Sequence, residues 1–394
     1  MRTLLPFFTF AILIFLTACE KADIRPVSFY DCQAPADDSS HFHPKAAQYQ
    51  AILDENRKDG LVGAILLVKD GDGLWAGASG KADIASDVDM QPCHTFLIAS
   101  ISKVFTATAV FRYVDRGLLS LDDPVNKWIP REITDEIANA NEAQIKHLLS
   151  HRSGIRDFYT NQFELDRINR EKNGWTKEEV LEYTYGGSAD FAVDETYGYS
   201  NTNYLLLSMI LENVSGLTFE EVYRQEVFLP AGLESAYYSE SKPIPDGCVL
   251  GYSDINGDGK LAEARSLYED ELGIGGDGGI AINAFDLAKF YDELFKGGLL
   301  SVSSLQEMTN WFDLPEDWHW TSYGQTENGY GLEKFHAGDH YAAGHTGGID
   351  GFNTFGFYFP EEDMTYILFV NNTRAFNQSK RRIFEEVTEL MFAQ

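Results

Sequence analysis

The sequence predicts an α+β fold (an α/β sandwich): one antiparallel sheet built from the two ends of the chain, flanked by helices, with a mostly helical lobe inserted between them. Three observations lead there. Gly63 to Lys69 is an apolar β-type run, Asp70-Gly71-Asp72-Gly73 is a turn signal, and Leu74 to Gly80 returns as a second strand. Near the other end, Phe352 to Phe359 and Met364 to Val370 flank Pro360-Glu361-Glu362-Asp363 in the same way. Between these pairs, from about 100 to 300, helical patterns dominate, and the helical lobe is placed at about 105–280. Terminal strands separated by helices pack most simply when the two ends share a sheet. A site is then expected in the cleft between the lobes.

The flanking helices are also legible. Ala46 to Arg57 carries Ala47, Ile52 and Leu53 among its apolar positions. From about Gln378, residues Ile383, Phe384, Val387, Leu390 and Met391 fall on one helical face. The length of 394 residues suits two average domains or one large two-lobed one, and no internal repeat is present. With 44% hydrophobic and 23% charged residues, the bulk of the chain can bury a core. Net charge is −30, from 31 Lys plus Arg against 61 Asp plus Glu. Without an extended run of Lys or Arg, such a chain repels nucleic acid, and no nucleic-acid partner is expected.

The N-terminus reads as an export signal. Met1-Arg2 is a basic start, Leu4 to Leu16 is almost wholly apolar, and Leu16-Thr17-Ala18-Cys19 resembles a bacterial lipobox. Residues 1–18 are therefore expected to be a lipoprotein signal peptide and Cys19 the lipidated residue. Residues 19–44 read as a polar tether, and residues 45–394 as the folded domain. The protein is expected to be exported and anchored by its N-terminal lipid in the bacterial cell envelope. In an oxidising compartment Cys32 and Cys93 can pair and leave Cys248 free, or all three can be buried thiols.

Three segments bear chemistry. In Phe96 to Thr106, a helix-compatible pattern runs on to Arg116 with Gly117 as its stop signal, so Ser100 can cap a helix. Ser100 and Lys103, three apart, are then neighbours. A serine hydroxyl becomes nucleophilic when a base takes its proton, and burial favours the neutral lysine that can do so. In Tyr197 to Tyr204, a turn-prone stretch leads into an apolar helix; Tyr199 can shuttle a proton and Asn201 offers an amide donor and acceptor. In Gly344 to Gly351, glycines let backbone approach a ligand, and an edge strand there can bind an acyl group and complete an oxyanion hole. Each segment alone also suits a capped helix, an aromatic loop or a glycine-rich turn.

Together and in this order they resemble the serine β-lactamase and penicillin-binding-protein superfamily, whose marks include Ser-x-x-Lys and Lys-Thr-Gly. The resemblance is to the branch holding class C β-lactamases, D-Ala-D-Ala carboxypeptidases, D-aminopeptidases and related esterases, which use Tyr-x-Asn, here Tyr199-Ser200-Asn201. Ile145 to Gly154 and the glycine-rich stretch from Gly275 to Phe290 support it, and it spans roughly residues 45 to 394. It implies a β-lactamase/transpeptidase-like fold. It further implies acyl-enzyme formation on Ser100, proton transfer by Lys103 and Tyr199, and substrate binding by Asn201, His345, Thr346 and Gly347. The oxyanion hole would be the backbone N–H groups of Ser100 and Gly348. No metal and no cofactor is implied. The substrate would be a small peptide, a β-lactam or an ester.

Position 345 departs from the pattern: class C enzymes carry Lys there, whereas His lacks a permanent charge near neutrality. That favours a peptidase or esterase over a β-lactamase. The expected function is a serine hydrolase of the D-Ala-D-Ala carboxypeptidase or D-aminopeptidase type, with an esterase or a non-catalytic penicillin-sensing lipoprotein as alternatives.

Other features carry less. Asp254 to Gly259 starts like a calcium loop, but Arg265 stands where a bidentate Glu is needed, so a hairpin turn is expected. His336 and His340 beside Asp339 are read as loop residues. His41-Phe42-His43 is read as solvated tether. Trp311, Phe312, Trp318, Trp320 and Tyr323 form either a packed lid or a wall of the cleft.

Overall fold

The computed structural model describes residues 32–35, 38–169, 174–240, 244, 247–268, 274–318, 324–373 and 376–393. The expectations for residues 1–18, for Cys19 and for the tether to residue 31 lie outside them, as do Trp320 and Tyr323. Among the described residues, no helix is long and apolar enough to cross a membrane.

Among the described residues, nine strands form one sheet: β1 (Gly63–Asp70), β2 (Gly73–Asp83), β3 (Val88–Asp89), β4 (Phe312–Asp313), β5 (Glu327–Asn328), β6 (Glu333–Ala337), β7 (His340–Ile349), β8 (Phe352–Phe359) and β9 (Met364–Val370). Their order is β3-β2-β1-β9-β8-β7-β6-β5-β4, antiparallel throughout. The two ends of the chain meet where β1 pairs with β9, Ala64 opposite Val370 and Leu67 opposite Ile367. The expected sheet and its two terminal hairpins are present, whereas His336 and His340, read as loop residues, stand on the paired strands β6 and β7.

Period-two alternation sorts the core into two layers. Ala64, Leu66 and Val68 of β1 pack with Tyr49 and Leu53 of α1 (Ala46–Arg57), while Ile65 and Leu67 face the helical lobe. The C-terminal helix (Phe376–Phe392) lies on the same face as α1 through Ile383, Phe384, Val387 and Met391. Across the sheet, α2 (Ser102–Asp115) runs through the lobe, with Val104, Phe105, Ala107, Val110 and Phe111 buried. It ends as expected, with Gly117 at φ +69° just beyond it.

One expectation at the N-terminal side is corrected. His43 is buried, not solvated: its Nε2 lies 2.9 Å from Asp70 Oδ1, and Tyr49 donates to Asp70 Oδ2 at 2.7 Å. Ser40 Oγ accepts the Ala76 N–H at 2.9 Å. The end of the tether is thus fastened onto the β1–β2 hairpin, because a buried carboxylate at the turn needs donors. Cys32 and Cys93 form a disulfide, which adds a covalent tie, and Cys248 is a buried free thiol. Asp254 to Gly259 makes a turn between two short strands, with Asp254 accepting the N–H groups of Asp258 and Gly259.

Candidate active site

Ser100 does not cap a helix as expected. It sits in a 3₁₀ turn, Ala99–Ile101, and α2 begins at Ser102 with no side-chain cap. The turn is strained: Ala99 has φ +47°, in the left-handed region that costs a non-glycine residue about 1–2 kcal/mol. The sheet holds it in place. Ile98 N–H donates to the Ile280 carbonyl at 3.0 Å, and Thr354 Oγ1 donates to the Ile98 carbonyl at 2.9 Å. A Cβ on Gly347 would meet that same carbonyl at 2.3 Å. Gly347 therefore lets β7 approach the serine turn, and it is not among the residues that line the two cavities described below.

One turn along α2, Lys103 has no exposure to solvent. Its Nζ is 3.1 Å from Ser100 Oγ, 2.8 Å from Asn201 Oδ1 and 2.7 Å from the Asp277 carbonyl. An ammonium has three protons, and here each finds an acceptor. Burial lowers the Lys103 pKa to about 8, against the opposing pull of Asp277, Asp157 and Glu333. Once neutral, the amine can keep its two N–H groups on Asn201 and Asp277. Its lone pair then faces Ser100.

Asn201 opens a helix, Asn201–Ser215, entered through Ser200 in extended conformation. Its amide is engaged at both ends, since Nδ2 donates to Asp157 Oδ2 at 2.9 Å. It positions Lys103 rather than presenting a free amide. Tyr199 faces the same cavities as Ser100, and burial drives its pKa well above 10. The phenol is therefore held in its protonated form. His151 stacks on Tyr199 with ring centroids 4.4 Å apart. Its Nδ1 accepts the Ser200 N–H at 3.1 Å, and burial holds it neutral.

β7 is an interior strand, yet its second half is an edge. It pairs with β6 only from His340 to Gly344, while Gly344 to Ile349 continue along β8. Thr346 N–H points to the open side, where Glu333 Oε2 accepts it at 2.7 Å. By strand alternation Gly348 N–H points the same way, toward the cleft. A Cβ on Gly348 would meet nothing within 4 Å. His345 is buried and neutral; burial lowers its pKa to about 3, and Nδ1 bonds the Thr346 carbonyl.

Ser100, Tyr199 and Gly348 stand between two cavities and line both. The first, about 360 Å³, is walled by Phe158, Tyr159, Asn201, Ile274 and Gly278. Its far end is closed by Arg167, which bonds Glu164 and, at 3.0 Å, Asp350 beyond β7. The second, about 410 Å³, reaches Asp157, Tyr197, Leu314, Trp318, Glu333 and His345. Trp318 is thus a wall of the cleft, in edge contact with Tyr197 at 5.2 Å between centroids.

The structure brings together Ser100, Lys103, Tyr199, Asn201, His345, Thr346 and Gly348. Sequence reasoning missed His151, Asp157, Asp277 and Glu333. His151 and Asp277 lie in stretches singled out for resemblance, but Asp157 and Glu333 carry no local signal that separates them from a solvated surface.

A family model described as beta-lactamase matches residues 48–387. Penicillin-binding protein 4* of Bacillus subtilis (strain 168) is 25% identical over 353 residues, covering 84% of this chain and 72% of that protein. The D-amino acid amidase of Ochrobactrum anthropi SV3, in complex with D-phenylalanine, is 25% identical with a TM-score of 0.75, over 87% of this chain and 99% of that one. A D-stereospecific amidohydrolase from Streptomyces sp., at 24% identity and a TM-score of 0.74, shares the fold over 86% of this chain and 98% of its own.

Proposed function

The chain belongs to the beta-lactamase family of serine hydrolases, and from that premise we propose that it cleaves amide bonds of D-amino-acid peptides or amides through an acyl-enzyme on Ser100. Neutral Lys103 takes the Ser100 proton as Oγ bonds the substrate carbonyl carbon. The oxyanion lies against the N–H groups of Ser100 and Gly348, each such donor contributing about 3–4 kcal/mol to the transition state. Collapse breaks the C–N bond, and the leaving amine takes a proton through Tyr199 and Lys103. Water then hydrolyses the ester by the same route. His345 and Thr346 flank the substrate on the open edge of β7.

The observation that carries this reading is the contact of Ser100 Oγ with a buried amine whose pKa is lowered to about 8. The neutral state of His345 argues against substrates that need a fixed cation for a carboxylate at this edge, β-lactams and C-terminal dipeptides included. An esterase on the same machinery is the second reading, since ester cleavage needs less help for its leaving group. Side-by-side turnover of D-amino-acid amides, D-Ala-D-Ala peptides, short-chain esters and nitrocefin tests it. Turnover of esters alone removes the amidase assignment. Ser100→Ala is expected to abolish all turnover and fluorophosphonate labelling; labelling that persists removes Ser100 as nucleophile.

Lipidation of Cys19 and export to the cell envelope belong to the same proposal. The Cys32–Cys93 disulfide supports an oxidising compartment. Cys19→Ser is expected to release the protein from the membrane fraction, and retention there would refute the anchor.

A further inference from the structure

Glu333 is a carboxyl that the chemistry above does not use. It opens β6, is only 6% exposed, and swings along the open edge of β7 into the second cavity. Oε2 accepts the Thr346 N–H at 2.7 Å, whereas Oε1 has, among the described residues, only Thr346 Oγ1 at 3.3 Å and His345 Nδ1 at 3.7 Å. That histidine gives no charge, because its ring is neutral and Nδ1 is turned to the Thr346 carbonyl. Burial pushes the Glu333 pKa up to about 7, outweighing the Thr346 bonds and the pull of the buried Lys103.

The rest of the cavity has the same character. Its described lining contains no Lys or Arg. Asp157 contributes a second carboxylate, already engaged by Asn201. Lys103, behind Ser100, has its three protons committed. Tyr197, Leu314 and Trp318 supply an apolar, aromatic wall. A pocket with acceptors, a buried acid and aromatic faces, and no cation of its own, is suited to an ammonium group.

We infer that Glu333 is the counter-ion for a primary ammonium group of the substrate, seated in the second cavity beside Ser100. This rests on the serine-hydrolase reading, and it deepens that reading: the preferred substrate carries a free amine near the scissile carbonyl. Glu333 acts here as a specificity residue, separable from a structural role by Glu333→Gln. The amide oxygen can still accept the Thr346 N–H, while the charge is gone.

The test uses the mature protein at about pH 8. Fluorophosphonate labelling of Ser100 is timed with benzylamine or benzyl alcohol as the protecting probe. The wild type is expected to be protected by benzylamine at concentrations at least about tenfold lower than by benzyl alcohol. In Glu333→Gln that ratio is expected to fall to near one, and in Glu333→Asp to an intermediate value. Equal protection of the wild type by the two probes overturns the proposal, as does a ratio that survives in Glu333→Gln. Should the Gln variant not fold, the wild-type ratio alone decides. Failure of Ser100 to label at all is a different result, which removes the hydrolase reading and this inference with it.

Discussion

Lys103→Met removes the buried amine while keeping an unbranched side chain in its channel. The wild-type amine has no exposure, and its pKa falls from 10.5 in an exposed lysine to about 8. The native protein therefore gives up this proton near pH 8, whereas the unfolded chain keeps it to 10.5. Below pH 8 both states are protonated, and the native state carries the full cost of the buried ammonium. As pH rises from 8 to 10.5 the unfolded state binds more protons, so wild-type stability increases through that window. Between pH 7 and pH 9.5 the two titration curves give a gain of about 2 kcal/mol, a melting shift of roughly 3 °C for a chain of this size. The Met variant lacks the group, so wild-type minus variant stability should grow by that amount, other titrations being common to both. Paired thermal melts at the two pH values measure it. The same amine sets acylation: roughly a tenth of it is neutral at pH 7, so labelling of wild-type Ser100 should rise about tenfold to a plateau above pH 9. The variant should not label. A melting difference that is flat with pH, or acylation that does not follow pH, would refute a depressed lysine acting as base.

Three further outcomes follow from packing and charge. Gly347→Ala places a Cβ 2.3 Å from both the Ile98 carbonyl and Thr354 Oγ1. It should destabilise the fold by about 1–3 kcal/mol and lower kcat by more than the loss of stability explains, read by melts alongside turnover; an active, unshifted variant would show that β7 need not sit so close. Reducing Cys32–Cys93 opens a loop of 61 residues and should lower stability by up to about 4 kcal/mol, seen as a melting shift with reductant and absent in a Cys32→Ser variant. Asp70 is buried, which alone would raise its pKa, but bonds from Tyr49, His43 and the Asp72 N–H outweigh this and leave it lowered. Its contribution is present above the ordinary carboxylate range and lost as pH falls, so acidification should cost the wild type more than Asp70→Asn; equal acid losses would remove the latch from the account.

Sequence by itself determined the two terminal hairpins, the helices on either flank, and the short motifs that hold Ser100, Lys103, Tyr199 and Asn201. These are local signals: alternation of period two or 3.6, turn chemistry, and short spacings along one element. Tertiary structure alone decided what lies far apart in the chain. It turned Ser100 from a helix cap into a strained turn clamped by Ile280, Thr354 and Gly347, and it made half of an interior strand into an edge. It also set charge. Whether Lys103 is an ammonium, or Glu333 a carboxylate, depends on how much water folding removes from around them, and no neighbouring residue in the sequence records that.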